Sequence, residues 1–187
     1  MNLILASQSP RRRELLALVH TPFAVMTAQA DETMDPTKDP FDEVARVSRQ
    51  KALAVPCGPE DVIVAADTIV VCDGRVLGKP ADEADAVRML TMLSDRSHQV
   101  MTGLTLRRGD RLLSHTEVTQ VYFRKLSPQE ILDYVRSGDP MDKAGSYGIQ
   151  SGGAKFAHRL EGDYFNVVGL PVCRLSLLLK QIMEEDL

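Results

Sequence analysis

The sequence predicts an α/β fold with a mixed sheet, and three observations support this prediction. Apolar runs of strand length alternate with segments of helical periodicity along the chain. Two tight turns, Arg108-Gly109-Asp110 and Glu161-Gly162-Asp163, each indicate an antiparallel hairpin. No linker or internal repeat divides the 187 residues, of which 44% are hydrophobic. One domain spanning residues 1–187 is therefore expected.

The first third of the chain predicts two strand–helix pairs. Ser9 and Pro10 suit the N-cap and first position of a helix, because Ser accepts a backbone N–H and Pro has none to satisfy. Lys51 shares the apolar face of Val44 and Val47 in the next helix. The predicted elements are a strand at Leu3–Ala6, a helix from Pro10, a strand at Phe23–Val25, an acidic connection at Asp31–Pro40 and a helix at Phe41–Val55.

The rest of the chain continues the alternation. The continuous apolar run Val62–Ala66 is typical of a strand buried on both faces, and Asp67-Thr68 is expected to interrupt it. Ser127-Pro128-Gln129-Glu130 forms a capping box, which opens a helix. The other predicted elements are a strand at Ile69–Cys72, a turn at Asp73-Gly74, a helix at Asp82–Leu93, strands at Gln99–Leu106 and Leu112–Phe123, a Gly-rich segment at Ala144–Gly153 and a last helix from about Pro171.

Composition argues against several classes of protein. The net charge of −4 disfavours duplex nucleic acid as the main partner, although a local basic pocket can still bind a small polyanion. No apolar run approaches the roughly 20 residues that span a bilayer. The N-terminus lacks the features of a signal peptide, so a cytoplasmic protein is expected.

The cysteines and histidines give no sign of a disulfide or zinc site. The three cysteines form no C-x-x-C pair, which favours reduced thiols. Cys72 and Cys173 follow valines and are predicted to be small core residues. The histidines lack zinc-ligand spacing and are predicted to be structural or surface residues: His20, His98, His115 and His158.

Three consecutive arginines, Arg11 to Arg13, stand at the start of the first helix. Cations there oppose the helix dipole, so the local sequence should prefer carboxylates. A polyphosphate docked at this helix end would reverse the argument, because free N–H groups, the dipole and the guanidinium groups would all favour it. A solvated basic turn is the alternative interpretation.

Lys51 and Asp67 are charged residues at positions where the pattern predicts burial. Lys51 either extends its ammonium group to solvent or binds a phosphate. Asp67 interrupts an apolar run, and an unpaired buried carboxylate costs several kcal/mol on the scale of its desolvation. It therefore needs a metal, a cation or several donors as partner. A catalytic or metal-binding carboxylate is favoured over one that caps a turn, since α/β sheets build sites at strand ends.

Two further lysines are weaker candidates. Lys79 lies in the stiff loop Gly78-Lys79-Pro80, and Lys143 opens a Gly-rich segment that can approach a ligand closely. No P-loop, dinucleotide-binding or nucleophile-elbow motif is present.

These segments together resemble the Maf family of nucleoside triphosphate pyrophosphatases. The resemblance depends on seven pieces in order along the chain, which makes it far more specific than any single motif. The pieces are Leu5-Ala6-Ser7-Gln8-Ser9-Pro10-Arg11-Arg12, Ala30-Asp31-Glu32, Lys51-Ala52, Ala66-Asp67-Thr68, Gly78-Lys79-Pro80, Lys143-Ala144-Gly145-x-Tyr147-Gly148-x-Gln150 and Asn166-Val167-Val168-Gly169-Leu170-Pro171. Asp139-Pro140 replaces a common Glu-Pro, a change expected to be neutral.

The resemblance implies a Maf/ITPase-like α/β fold: an extended, twisted mixed sheet flanked by helices, with two lobes and a cleft. It also implies hydrolysis of a nucleoside triphosphate to the monophosphate and pyrophosphate with a divalent cation, Mg²⁺ or Mn²⁺. The chain looks like the branch acting on dTTP and UTP, with modified pyrimidine nucleotides as further candidates. A homodimer is compatible with the sequence.

The resemblance also implies roles for individual residues. Asp67 matches the proton acceptor. The positions that set substrate specificity match Arg11, Thr68 and Gln150. The residues implied to bind the phosphates are Ser9, Arg12, Lys51 and Lys79. The residues implied to bind a metal are Glu32 and Asp67. Two alternatives stay open: a nucleotide-binding regulator of septum formation or cell division, and a phosphomonoesterase.

Overall fold

The computed structural model describes residues 2–27 and 29–184. The strands are β1 (Asn2–Leu5), β2 (Ala24–Val25), β3 (Asp61–Cys72), β4 (Arg75–Leu77), β5 (Ser97–Arg108), β6 (Arg111–Phe123) and β7 (Ala157–Glu161). The α-helices are α1 (Pro10–Ala17), α2 (Pro40–Ala54), α3 (Glu83–Leu93), α4 (Pro128–Arg136), α5 (Tyr164–Val168) and α6 (Val172–Glu184). Short 3₁₀ turns lie at Asp139–Asp142, Ala144–Ser146 and Gly152–Lys155.

Among the described residues, these strands form one seven-stranded sheet in the order β2-β1-β3-β5-β6-β7, with β4 paired to β3 off this path. β1 is parallel to both of its neighbours, β2 and β3. β4 is antiparallel to β3, and β7 is antiparallel to β6. The sheet is therefore mixed, which confirms the predicted fold class.

Strand β3 is continuous through Asp67 and Thr68, so the predicted interruption is wrong. β1 pairs with the segment Asp61–Val64 and β4 with Val70–Cys72, and the two polar residues lie between these segments. Backbone hydrogen bonds maintain a strand, and a partly buried carboxylate is tolerated within it when a partner compensates the cost of burial. Asp67 has such a partner, as described below.

The two predicted hairpins have different outcomes. β5 and β6 are neighbours joined by Gly109 and Asp110, which confirms the first. The second is wrong, because helix α5 follows β7 and no strand returns there. The Asp163 carboxylate accepts the backbone N–H of Phe165 at 2.8 Å, an arrangement that starts a helix.

The Cα atoms group into two compact units. Unit 1 comprises the described residues within 1–67, 102–117 and 169–187, and unit 2 those within 68–101 and 118–168. The division falls inside strands β3, β5 and β6. Each unit has its own apolar cluster, the first including Ile4, Val55 and Ile63 and the second Leu90 and Phe156. Whether the chain folds as one domain stays a prediction.

Local sequence signals place the helix ends well. Ser9 is the N-cap of α1 with Pro10 in the first turn, and the capping box between Ser127 and Glu130 starts α4. All three cysteines are free thiols, as predicted. Cys72 is buried, but Cys173 is exposed on α6, so its predicted core position is wrong. An apolar neighbour says little about burial on a helix, where successive residues point in different directions.

His98 is a core residue of unit 2 and makes protein stability depend on pH. It is only 1% exposed, shares a 2.8 Å hydrogen bond between Nε2 and the Tyr147 hydroxyl, and packs edge-on against Phe123. Burial lowers the pKa of His98 from its ordinary value of 6.5 to about 4. Between these values the unfolded chain binds more protons than the folded chain, so stability falls as pH falls.

We expect His98 to remove about 2 kcal/mol of the free energy of unfolding between pH 7 and pH 5. Urea unfolding of the wild type and of His98→Gln at both pH values measures this loss. Other titrating groups are common to both proteins, so the variant should show a pH dependence smaller by about that amount. Equal pH dependence in the two proteins would contradict the prediction.

Candidate active site

The start of helix α1 fixes one of the three arginines in unit 1. The Ser9 hydroxyl accepts the backbone N–H of Arg12 at 3.5 Å. The Arg12 guanidinium donates from Nε to the carbonyl of Gly169 at 2.8 Å and from Nη1 to the Ser7 hydroxyl at 3.3 Å. Arg13, by contrast, is exposed. Arg12 is therefore held in one orientation by backbone and hydroxyl groups.

The surroundings of Arg12 include two carboxylates. Burial lowers the pKa of Arg12, and the nearby charges of Asp67 and Glu32 offset only part of this shift. The guanidinium group of arginine stays cationic in proteins even when its pKa is lowered. Arg12 thus places a fixed positive charge near the carboxylates.

Lys51 joins these carboxylates directly. Its Nζ lies 2.6 Å from Oδ1 of Asp67 and 3.0 Å from Oε2 of Glu32. The Lys51 and Asp67 side chains are 14% and 15% exposed, whereas Glu32 is 62% exposed. Asp67 therefore has the cationic partner that its position required, and Lys51 points inward from α2 instead of extending to solvent.

Hydrogen bonds hold the loop that carries Glu32 against helix α2. Glu43 is 3% exposed, and its carboxylate accepts the backbone N–H of Asp35 at 2.8 Å. Arg46 donates to that carboxylate and to the carbonyl of Thr33 at 2.6 Å. The hydrogen bond from Arg46 is the largest cause of a lowered pKa for Glu43. Two side chains of α2 thus fix the backbone next to Glu32.

Sequence reasoning missed Glu43 and Arg46. Their i,i+3 spacing on a helix was the available signal, but such pairs are common on solvated helix faces. Only the fold shows that the loop lies against them.

Unit 1 thus brings together five of the residues predicted for the site. The interactions above connect Ser9, Arg12, Glu32, Lys51 and Asp67. Arg11 lies beside Arg12 and is partly buried.

Unit 2 contains the other three predicted residues. Thr68 follows Asp67 in β3 and is partly buried, while Lys79 and Gln150 are exposed. Lys143 is engaged within unit 2, because its Nζ donates to the carbonyl of Asp139 at 2.5 Å and to the Asp142 carboxylate at 2.7 Å.

Two carboxylates of unit 1 are candidates to hold a divalent cation. Across residues 2–27 and 29–184, no group of three or more His, Cys, Asp or Glu side chains could hold a metal ion. Mg²⁺ often binds through only one or two carboxylates, with waters and substrate phosphates completing the shell. Glu32 and Asp67 supply two carboxylates within 3.0 Å of one ammonium nitrogen, which fits this kind of site.

No helix in the described part of the chain is long and apolar enough to cross a membrane.

Two solved structures share the fold of this chain. The Ham1 protein of Coxiella burnetii aligns with a TM-score of 0.52 and 16% identity, covering 97% of this chain and 99% of that one. The Staphylococcus aureus Ham1 protein aligns with a TM-score of 0.52 and 15% identity, covering 97% and 100%. At this identity the likeness shows the fold alone, a mixed α/β fold shared with Ham1 proteins.

The sequence then identifies the family. The model for the Maf-like protein family matches residues 2–182. A Koribacter versatilis protein named dTTP/UTP pyrophosphatase is 47% identical, covering 97% of this chain and 94% of the relative. Proteins with the same name from Syntrophomonas wolfei and Symbiobacterium thermophilum are each 51% identical, covering 91% and 96% of this chain and 92% and 93% of the relatives. The chain belongs to the Maf family.

Proposed function

We propose that this protein hydrolyses dTTP and UTP to the nucleoside monophosphate and pyrophosphate, with Asp67 activating the attacking water. Relatives with nearly half of their residues identical over almost the whole chain are named for this reaction. The observation that carries the mechanism is the contact of Asp67 and Glu32 with one ammonium group, on Lys51. Modified pyrimidine nucleotides are further candidate substrates.

Asp67 suits the role of proton acceptor. Its Oδ1 accepts a hydrogen bond from Lys51 at 2.6 Å, which fixes the orientation of the carboxylate. The Lys51 ammonium group also limits the direction from which the carboxylate can accept a proton. A carboxylate held in one orientation can take the proton of a water as that water attacks phosphorus.

Positively charged side chains of unit 1 are suited to stabilising the pyrophosphate leaving group. Negative charge develops on pyrophosphate as the bond to the α-phosphate breaks, and fixed cations stabilise that charge. Arg12 needs little reorganisation, because Gly169 and Ser7 already hold it. The other proposed phosphate contacts are Ser9 and Lys51 of unit 1 and Lys79 of unit 2.

Glu32 and Asp67 would hold a divalent cation. Mg²⁺ or Mn²⁺ would supply charge neutralisation on the phosphates and polarise the reacting groups. Selection of the base is assigned to Arg11, Thr68 and Gln150, since an amide and a hydroxyl can offer donors and acceptors to a pyrimidine edge.

The cellular setting belongs to the same proposal. Three free thiols suit a reducing compartment, so we place the protein in the cytoplasm. The acidic net charge favours a small nucleotide over nucleic acid as the partner. A homodimer stays a prediction.

The proposal is tested by measuring pyrophosphate and orthophosphate from a panel of nucleoside triphosphates, with Mg²⁺, with Mn²⁺ and after chelation. We expect metal-dependent pyrophosphate release, with dTTP and UTP preferred over dCTP and purine nucleotides by about tenfold or more. Chelation should abolish release, and added metal should restore it.

Other outcomes have definite meanings. Activity confined to purine nucleotides would overturn the roles given to Arg11, Thr68 and Gln150. Orthophosphate as the only product would indicate a phosphomonoesterase. No product from any nucleotide would contradict the proposed reaction.

A further inference from the structure

Gln150 occupies a tight turn in unit 2, and hydrogen bonds hold both ends of this turn. The backbone N–H of Ser151 donates to the carbonyl of Gly148 at 3.2 Å, which closes a turn with Ile149 and Gln150 at its centre. Gln150 is exposed. The direction of its side chain therefore depends on what holds Gly148 and Ser151.

Hydrogen bonds connect both ends of this turn to one carboxylate, that of Asp139. The Ser151 hydroxyl donates to Oδ2 of Asp139 at 2.6 Å. The Gly148 N–H donates to the Tyr134 hydroxyl at 3.1 Å, and this hydroxyl donates to the same Oδ2 at 2.6 Å. Asp139 thus connects the first and last residues of the turn.

Asp139 is itself fixed. Lys143 Nζ donates to Oδ1 of Asp139 at 3.1 Å and to its backbone carbonyl at 2.5 Å. Burial acts to raise the pKa of Asp139, but the hydrogen bonds that it accepts outweigh burial and lower it. The group is therefore an ionised carboxylate with donors on both oxygens.

The backbone at Gly148 and Gly152 is closely packed. A Cβ added at Gly148 would lie 2.2 Å from the Ser151 hydroxyl oxygen and 2.6 Å from Cε of Lys143. Gly152, just after the turn, packs on the Tyr134 ring, where an added Cβ would come within 2.9 Å. The same side chains that bind Asp139 thus pack directly against the turn.

We propose that Asp139 is a positioning residue for substrate selection, which acts through Tyr134 and Ser151 on the turn that presents Gln150. This inference rests on the proposed function, in which Gln150 recognises the pyrimidine. An amide recognises a base edge only when its donor and acceptor are both aligned, and displacement by about 1 Å costs up to about 100-fold.

The main test is Asp139→Asn. An amide has one acceptor oxygen and places an NH₂ group against a donor, so at least one link of the network fails. We expect the preference for dTTP over dCTP, measured as the ratio of kcat/KM, to fall by about 10- to 100-fold, mainly through a higher KM for dTTP. Ser151→Ala removes the bond to Asp139 at the end of the turn, together with the 3.4 Å contact of the same hydroxyl with the Gly148 carbonyl, and should change the ratio in the same direction.

The matched control is Asp133→Asn. Asp133 lies on α4, is exposed, and pairs with Gln129 and Arg136 on the surface. This variant should keep the wild-type ratio. A merely structural role of Asp139 would lower the melting temperature and the activity on all nucleotides equally, and would leave the ratio unchanged.

The outcomes separate the inference from the proposed function. If the wild type prefers dTTP and UTP but Asp139→Asn and Ser151→Ala keep that preference, the inference is overturned and the proposed function stands. If the wild type releases no pyrophosphate or shows no preference for dTTP over dCTP, both are overturned. If Asp139→Asn does not fold, Ser151→Ala decides the matter, because Ser151 is exposed.

Discussion

Replacing Asp67 with Asn is expected to lower kcat for pyrophosphate release by about 10²- to 10⁴-fold, the contribution typical of a general base. The amide has the shape of the carboxylate but cannot accept a proton from water at neutral pH. It also removes the ion pair at 2.6 Å with Lys51, which would then retain only Glu32. Steady-state release of pyrophosphate from dTTP measures the effect.

The control for this experiment is Asp73→Asn. Asp73 immediately follows β3, is exposed, and pairs with Arg96 on the surface. Asn tolerates its positive φ of 49°, so the variant should keep wild-type turnover. Asp67→Asn with turnover close to that of the wild type, and with an unchanged melting temperature, would remove Asp67 from the mechanism.

The same variant separates enzyme from regulator. A regulator of septum formation or cell division that acts only by binding nucleotide would keep its effect on cells when Asp67 is Asn. An effect that depends on hydrolysis would be lost together with pyrophosphate release. Scoring cell division in cells that express each protein therefore complements the kinetic measurement.

The second large effect is expected from Gly103→Ala, which should lower the free energy of unfolding by at least about 3 kcal/mol, the upper end of overpacking penalties. Gly103 lies in the middle of β5, where helix α2 crosses the strand in unit 1. A Cβ there would be 2.3 Å from the backbone carbonyl oxygen of Val44 and 2.7 Å from the carbonyl carbon of the same residue. Backbone atoms cannot rotate away, so the helix has to move.

Movement of α2 would also affect the site. A 2.8 Å hydrogen bond between the hydroxyls of Ser48 and Thr105 holds the helix on the strand one turn further along. Lys51 follows on the same helix and contacts Asp67. We therefore expect Gly103→Ala to lose activity as well as stability.

Urea unfolding measures the loss, with Gly78→Ala as the matched control. An added Cβ at Gly78 meets no atom within 4 Å, so the same chemical change should alter stability by no more than about 1 kcal/mol. Equal unfolding midpoints for the two variants would show that α2 does not pack on β5 as closely as described.

Much of the secondary structure could be predicted because its causes are local. Ser9 with Pro10, and the capping box from Ser127, satisfy backbone groups within a single helical turn, and the structure confirms both. The apolar run at Val62–Ala66 is fully buried in β3, as its composition indicated.

The errors occur where a distant contact changes the local preference. Asp67 does not break β3, because Lys51 from another element compensates its charge. Asp163 begins helix α5 where a turn residue was expected to join two strands. The close approach at Gly103 was not predicted either, although a lone glycine within a strand is a known sign of one.

By itself, the sequence determined most of the strands and helices, the family, and the residue types available for phosphate chemistry. The tertiary structure alone decided which of them meet: Lys51 with Asp67 and Glu32, and Arg12 with Gly169, 157 residues away. It also decided that Asp139 holds the turn of Gln150. Periodicity and capping arise from interactions over a few residues, whereas these contacts depend on the packing of elements far apart in the chain.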